Sequence, residues 1–214
     1  MEIEPCLNAG DDAILDRQVE ALLRTGCRLF HLNVDEAQAA GPAPFGAMIG
    51  DVIVPLLRRY EAVLDVHVDG IDPASAFAAV AAAGASSVTF PFESGNVEAT
   101  IGAARERGLQ AGVSFAPDAE PEDVAAGCQA ADLVLCLGTS GEAAGELPPT
   151  TFGRLRRLVR ALPESARVQV EGGVGYDNMR ELYDAGAKVF VVGDAIYERE
   201  DLPRAYRRLV QALA

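Results

Sequence analysis

The chain has 214 residues, half of them hydrophobic, and a formal net charge of −14. That length fits one large domain or two small ones, with a sizeable apolar core, and the charge argues against nucleic acid or an anionic membrane as a partner. No run approaches the ~18 consecutive apolar residues of a membrane span.

The first stretch, MEIEPCLNAG, is acidic and lacks the basic region and apolar core of a signal peptide. The expectation is a cytoplasmic protein. The first strand candidate is IEPCLN at 3–8, followed by a helical pattern over 12–25. RLFHLNV (28–34) precedes a helical pattern at 46–60, and AVLDVHV (62–68) precedes one at 73–83. SVTFPF (87–92) leads to 96–107, and QAGVSF (110–115) to 121–130. DLVLCL (132–137), RVQVEG (167–172) and KVFVVG (188–193) lead to 150–162, 176–185 and 202–213. Glycines in TGC (25–27), AGA (83–85), RGL (107–109) and AGA (185–187) fit helix ends, where a left-handed residue closes the last turn. DPAS at 72 and EPED at 120 fit helix starts.

Eight strand–helix units imply parallel strands joined by right-handed crossovers. With no break in composition, they predict an α/β fold: a single (β/α)8 TIM barrel over residues 1–214. A doubly wound open sheet is the alternative. Cys6, Cys27, Cys128 and Cys136 lie in apolar segments without CxxC spacing and are expected to be buried free thiols. Lys188 is the one lysine; at the start of a strand it is poorly placed for Schiff-base chemistry.

In such a barrel, functional groups sit at the C-terminal ends of the strands. Side chains two apart on a strand share a face, so His31, Asn33 and Asp35 project together from the second strand. Asp65, His67 and Asp69 do so from the third, and Glu171 projects from the seventh. A lone histidine on an apolar strand is commonly a hydrogen-bonded core residue. Two on neighbouring strands, with carboxylates nearby, point instead to a divalent cation. Imidazole with carboxylate suits Zn, Fe or Mn, and buried carboxylates are costly unless paired or metal-bound.

At these residues the sequence resembles the ribulose-phosphate 3-epimerase family. The resemblance runs from PCLNAGD (5–11) through HLNVDEA (31–37), DVHVD (65–69), AGVSFAP (111–117) and VEGG (170–173) to GDAIY (193–197). It implies a divalent metal held by two histidines and two aspartates, with the aspartates also moving the proton at C3 from opposite faces. On these positions the metal set becomes His31, His67, Glu171 and Asn33. The resemblance further implies a phosphate cradle at Gly172, Gly173, Gly193 and Asp194, a homo-oligomer, and no nucleotide cofactor.

The departures carry information of their own. Asn33 stands where the family has a base, and an amide cannot act as one near neutral pH. Glu171 keeps the other carboxylate but lengthens it by one methylene. The family's early serine falls on Ala9, and its flanking methionines on Asp35, Asp69 and Leu137. Asp35 or Asp69 could take over as a base or ligand, which makes the expected catalytic set Glu171, Asp35 and Asp69. Glu142 replaces a glycine of the phosphate loop, and Asp194 replaces a serine where it could cap the helix that follows. The expected protein is therefore an epimerase or isomerase of a small sugar or sugar phosphate with altered substrate. The alternative is a non-catalytic paralogue that binds a metal or small ligand. The Gly- and Pro-rich stretch 36–46 fits either a lid over the site or a plain connection.

Overall fold

Short runs of Val, Leu, Ile and Phe that are buried on both faces suit the strands of a parallel sheet covered by helices. The computed structural model describes residues 1–11, 13–35, 48–139 and 147–213, without the side chains of Ala9, Met48 and Ala74. The strands are β1 (Glu2–Pro5), β2 (Leu29–Val34), β3 (Val63–Val68), β4 (Ser87–Pro91), β5 (Gln110–Phe115), β6 (Leu133–Leu137), β7 (Arg167–Glu171) and β8 (Val189–Val192). They pair in the order β1-β8-β7-β6-β5-β4-β3-β2, every pair parallel. This is the expected (β/α)8 barrel rather than the open doubly wound sheet.

The seam between β1 and β2 is closed sparingly. A single parallel bridge joins Cys6 to His31. Beyond it the Asn8 side chain acts as a strand would. Its Nδ2 donates to the Asn33 carbonyl at 3.0 Å, and its Oδ1 accepts from the Asn33 N–H at 2.7 Å. One amide side chain thereby satisfies both backbone groups of a residue at the rim.

The covering helices are α1 (Leu15–Leu23), α2 (Val54–Arg59), α3 (Pro73–Ala82), α4 (Val97–Arg105), α5 (Pro121–Gly127), α6 (Thr150–Ala161), α7 (Met179–Asp184), α8 (Asp194–Tyr197) and α9 (Leu202–Leu213). Phe30, Phe77, Phe90, Phe115 and Phe190 are fully buried. The Phe77 and Phe90 rings pack with their centres 6.1 Å apart, tying α3 to β4. Asp72 caps α3 by accepting from the Ser75 N–H at 3.1 Å, as its sequence suggests. Glu120 makes no such bond at α5, where the proline alone marks the start. Among the described residues, no helix is long and apolar enough to cross a membrane.

Three of the boundaries that differ from expectation also change the local structure. The predicted strand 3–8 ends at Pro5, and Leu7–Ala9 turn as a 3-10 helix so that Asn8 can reach β2. The predicted helix 46–60 enters α2 through a π-helical segment, Met48–Ile53. The predicted helix 176–185 starts only at Met179. Upstream, Asn178 ties its own loop down, Oδ1 accepting from Gly175 N at 3.0 Å and Nδ2 donating to Gly173 O at 2.7 Å. All four cysteines are buried thiols outside any disulfide. Residues 36–46 and Glu142 lie outside the described residues, as does the side chain of Ala9.

Candidate active site

The pairing of β2 with β3 sets His31 opposite Asp65 and Asn33 opposite His67. Both histidines face the barrel axis and are buried. Asn33 sits between them: its Oδ1 lies 3.2 Å from His31 Nε2 and 3.0 Å from His67 Nδ1. Its Nδ2 donates to Glu171 Oε1, arriving from β7, at 2.6 Å. The other carboxylate oxygen, Glu171 Oε2, lies 3.5 Å from His31 Nε2 and 3.8 Å from His67 Nδ1. The outer nitrogens of the two imidazoles are engaged elsewhere. His67 Nε2 lies 3.0 Å from Ser114 Oγ on β5, and His31 Nδ1 lies 2.8 Å from Asp65 Oδ2.

Below this cluster lies a second polar layer. Gln169 Nε2 donates to Glu4 Oε2 at 2.5 Å and to Asp65 Oδ2 at 3.1 Å. Ser87 Oγ donates to Asp65 Oδ1 at 2.5 Å. Glu4, Asp65 and Gln169 come from β1, β3 and β7, the alternate-strand contribution expected of one barrel layer.

Charge follows from this geometry. Burial would drive the His31 imidazole down, but the Glu171 charge and the bonds the ring donates to the Asp65 and Glu4 carboxylates outweigh it and hold it well above its ordinary value. Burial also opposes ionisation of Glu171, yet the His31 and His67 charges and the Asn33 hydrogen bond lower it to about 2. Burial pushes His67 down, reinforced by the His31 charge. Asp65 is lowered because its bonds from His31, Ser87 and Gln169 exceed the burial penalty. Glu4 is raised to about 7, first by burial and then by the Asp65 charge.

Glu4 gives a pH test. A buried carboxyl raised from 4.5 to about 7 keeps a proton that the unfolded chain releases. Its contribution to stability therefore falls as pH rises from 4.5 to about 7 and stays low above that. In metal-free protein, Glu4→Gln is expected to gain roughly 2–3 kcal/mol of stability relative to wild type between pH 5 and pH 8. Urea unfolding at the two pH values measures it; an equal offset at both would contradict the raised carboxyl.

His31, His67 and Glu171 bring three ligand atoms within 4.8 Å of one another, and Glu4, His31 and Asp65 form a second such group. The first group fits a first-row dication. Bonds of ~2.1 Å place neighbouring donors about 3.0–3.4 Å apart in octahedral or tetrahedral shells. Asn33 Oδ1 stands 3.2 and 3.0 Å from His31 Nε2 and His67 Nδ1, within that range, and Glu171 Oε2 stands 3.5 and 3.8 Å from the same nitrogens, just beyond it. Glu171 Oε2 is moreover buried with no hydrogen-bond partner among the described residues, an arrangement that is costly unless something positive faces it.

The remaining predicted residues sit on the rim. Asp35 and Asp69 are exposed, at the ends of β2 and β3, outside both groups of converging ligand atoms. Asp69 Oδ1 accepts from the Gly70 N–H at 2.8 Å. Gly172 and Gly173 are both left-handed, with φ of +87° and +69°. A Cβ on Gly172 would stand 2.6 Å from Thr139 Oγ1, so glycine is required there on both counts. The β7 and β8 loops meet where Tyr176 Oη donates to the Ala195 carbonyl at 3.0 Å. Asp194 corrects an expectation: it does not cap α8. Gly193 holds the cap position and no side chain caps it, because Asp194 lies one residue inside the helix with its side chain exposed.

Sequence reasoning passed over Asn8, Ser114, Glu4 and Gln169. Only Ser114 carried a signal, as a lone hydroxyl in the apolar run QAGVSF on a strand that faces the axis.

A parallel eight-stranded barrel with polar side chains gathered at the C-terminal ends of its strands defines the class: a (β/α)8 barrel, whose enzymes carry their chemistry on that rim. The model of the ribulose-phosphate 3 epimerase family matches residues 2–197, and the chain belongs to that family. It is 30% identical to the ribulose-phosphate 3-epimerase of Escherichia coli K12, covering 99% of this chain and 96% of that one. It is 29% identical to the Schizosaccharomyces pombe enzyme of the same name, covering 93% and 88%. Among solved structures, 3-hexulose-6-phosphate synthase from Salmonella typhimurium superposes with a TM-score of 0.74 at 18% identity, covering 100% of this chain and 98% of that one. That likeness concerns the fold.

Proposed function

We propose that the chain is a metal-assisted carbohydrate epimerase or isomerase that moves a proton on the carbon next to a ketose carbonyl. One observation carries this reading: Glu171 Oε2 is buried, with no hydrogen-bond partner among the described residues, where His31 Nε2, His67 Nδ1 and Asn33 Oδ1 converge. Those four side chains would hold Zn, Fe or Mn. When bound, the ion would supply positive charge beside the oxyanion that develops as the α-proton leaves.

The chain's own residues do the rest. Glu171 stays ionised and takes the proton, while the Asn33 amide steadies its Oε1. Inversion of a centre requires a proton donor on the face opposite the acceptor, and Asn33 cannot be that donor. Asp69 and Asp35, at the neighbouring strand ends, are the carboxylates available for it. Gly172 and Gly173 offer backbone N–H groups to the distal end of the substrate. Asp194 and the chain's −14 charge oppose a phosphate dianion there. The substrate favoured by this rim is a ketose whose far end carries a hydroxyl or an ammonium group. The protein is read as a cytoplasmic homo-oligomer, as in the resemblance above.

Elemental analysis of the purified protein, repeated on His67→Ala, tests the reading. Near-stoichiometric metal in wild type and its loss in the variant are expected. Metal-loaded protein should then exchange the α-proton of an added ketose for deuterium, monitored by NMR with D-ribulose and D-ribulose 5-phosphate side by side. Absence of metal after reconstitution would overturn the mechanism. Metal without exchange on any ketose would favour a binding protein instead.

A further inference from the structure

The two histidines of the cluster are supported unequally. His67 Nε2 meets a neutral hydroxyl, Ser114 Oγ, at 3.0 Å. His31 Nδ1 meets the Asp65 carboxylate at 2.8 Å, with Glu4 Oε2 3.5 Å away. Asp65 is itself 2% exposed and accepts from three donors: His31, Ser87 at 2.5 Å and Gln169 at 3.1 Å. Three donors on one buried carboxyl mark the ionised form.

The charge of the cluster explains why such support matters. Glu171 is its one carboxylate; His31, His67 and Asn33 contribute none when they act as neutral ligands. A dication held by this set keeps a net positive charge in a buried place, which is unfavourable unless negative charge lies close by. Asp65 provides such a charge, one imidazole ring away. Its acceptor also settles the tautomer. With a metal in place of the Nε2 proton, a proton on Nδ1 facing Asp65 would leave the Nε2 lone pair directed at the ion between Asn33 and Glu171, and an anionic partner raises the basicity of that lone pair.

Resting on the metal reading above, we propose that Asp65, braced by Ser87 and Gln169, is a positioning residue: it locks His31 as an Nε2 ligand and supplies from beneath the negative charge that Asn33 withholds from the cluster. Asp65 touches neither substrate nor metal and acts only through His31. Ser114 lacks charge and cannot do the same for His67.

The test is Zn²⁺ affinity, measured by competition with a chromophoric chelator. Asp65→Asn should weaken binding by about 10- to 100-fold, and Ser114→Ala by less than about 5-fold. Co²⁺-substituted Asp65→Asn should show shifted d–d bands, because the ligand field at His31 Nε2 weakens; a merely structural role would leave them in place. In an Asn33→Asp background the Asp65→Asn loss should shrink, since the cluster then carries its own second charge. Ser87→Ala, which removes one brace and no charge, should weaken binding by about 2- to 5-fold and serves if Asp65→Asn does not fold. Asp65→Asn within twofold of wild type, or Ser114→Ala equal to it, would overturn the inference while leaving the metal site standing. A wild-type protein that binds no Zn²⁺ would instead remove the metal reading itself.

Discussion

Replacing Glu171 by glutamine is expected to lower kcat/KM for proton exchange by about 10²- to 10⁴-fold, the usual worth of a positioned general base. Glu171 is the sole carboxylate among the four converging side chains. Held at about 2, its carboxyl is ionised across the physiological range. Glutamine preserves the length and can still accept the Asn33 bond on its carbonyl. Its second group, an amide NH₂, then occupies the place of Oε2 and directs protons at the histidine nitrogens. Metal should be lost along with turnover, because an amide NH₂ is no ligand. Circular dichroism and elemental analysis on the same sample separate this outcome from unfolding. A folded Glu171→Gln that keeps both metal and exchange would show that the base lies elsewhere, with Asp35 or Asp69 next in line.

Much of this architecture is legible in the sequence itself. QAGVSF over 110–115 is β5 residue for residue, since an apolar run bounded by a helix-closing glycine and a proline leaves little choice. The faces of β2 and β3 were legible because strand periodicity is strict: once His31 points inward, Asn33 must follow. What period two cannot reveal is which side chains meet across the barrel, since that depends on stagger between strands. Glu4 illustrates this. Glu2 and Glu4 share a face, yet Glu2 is exposed and pairs with Arg167, while Glu4 is 3% exposed beside His31 and Gln169. A sequence that reads as an acidic terminus hides a core residue. Asn8 was hidden for another reason: it replaces a backbone partner at the barrel seam, a role set by geometry rather than composition. The shortened α7 follows the same logic, its first turn given over to bonds from the Asn178 side chain.

Asn33→Asp is expected to move the protein in two directions at once. Without metal, the present Nδ2 donor, 2.6 Å from Glu171 Oε1, becomes an oxygen, so two carboxylates face each other at hydrogen-bond distance. The loss of that bond inside the barrel should cost about 1–3 kcal/mol of stability in chelator-treated protein, read by urea unfolding. With metal, the sign reverses. The cluster gains a second anionic ligand, Zn²⁺ affinity should rise at least about 10-fold, and the thermal shift on metal addition should grow in proportion to the logarithm of that change. The new carboxylate also places a proton-transfer group inside the cluster, nearer Glu171 than the exposed Asp69 and Asp35 on the rim. Turnover of D-ribulose 5-phosphate should therefore rise by about 10²-fold or more over wild type. The three readouts separate the causes. Unchanged metal affinity would mean that Asn33 is not a ligand. Tighter metal with unchanged turnover on the phosphate, but a gain on D-ribulose, would place the divergence at Asp194 and the rim rather than at the base. Tighter metal with no gain on either would mean that the second proton already comes from Asp69 or Asp35, and that Asn33 serves the chain by holding Glu171 in place.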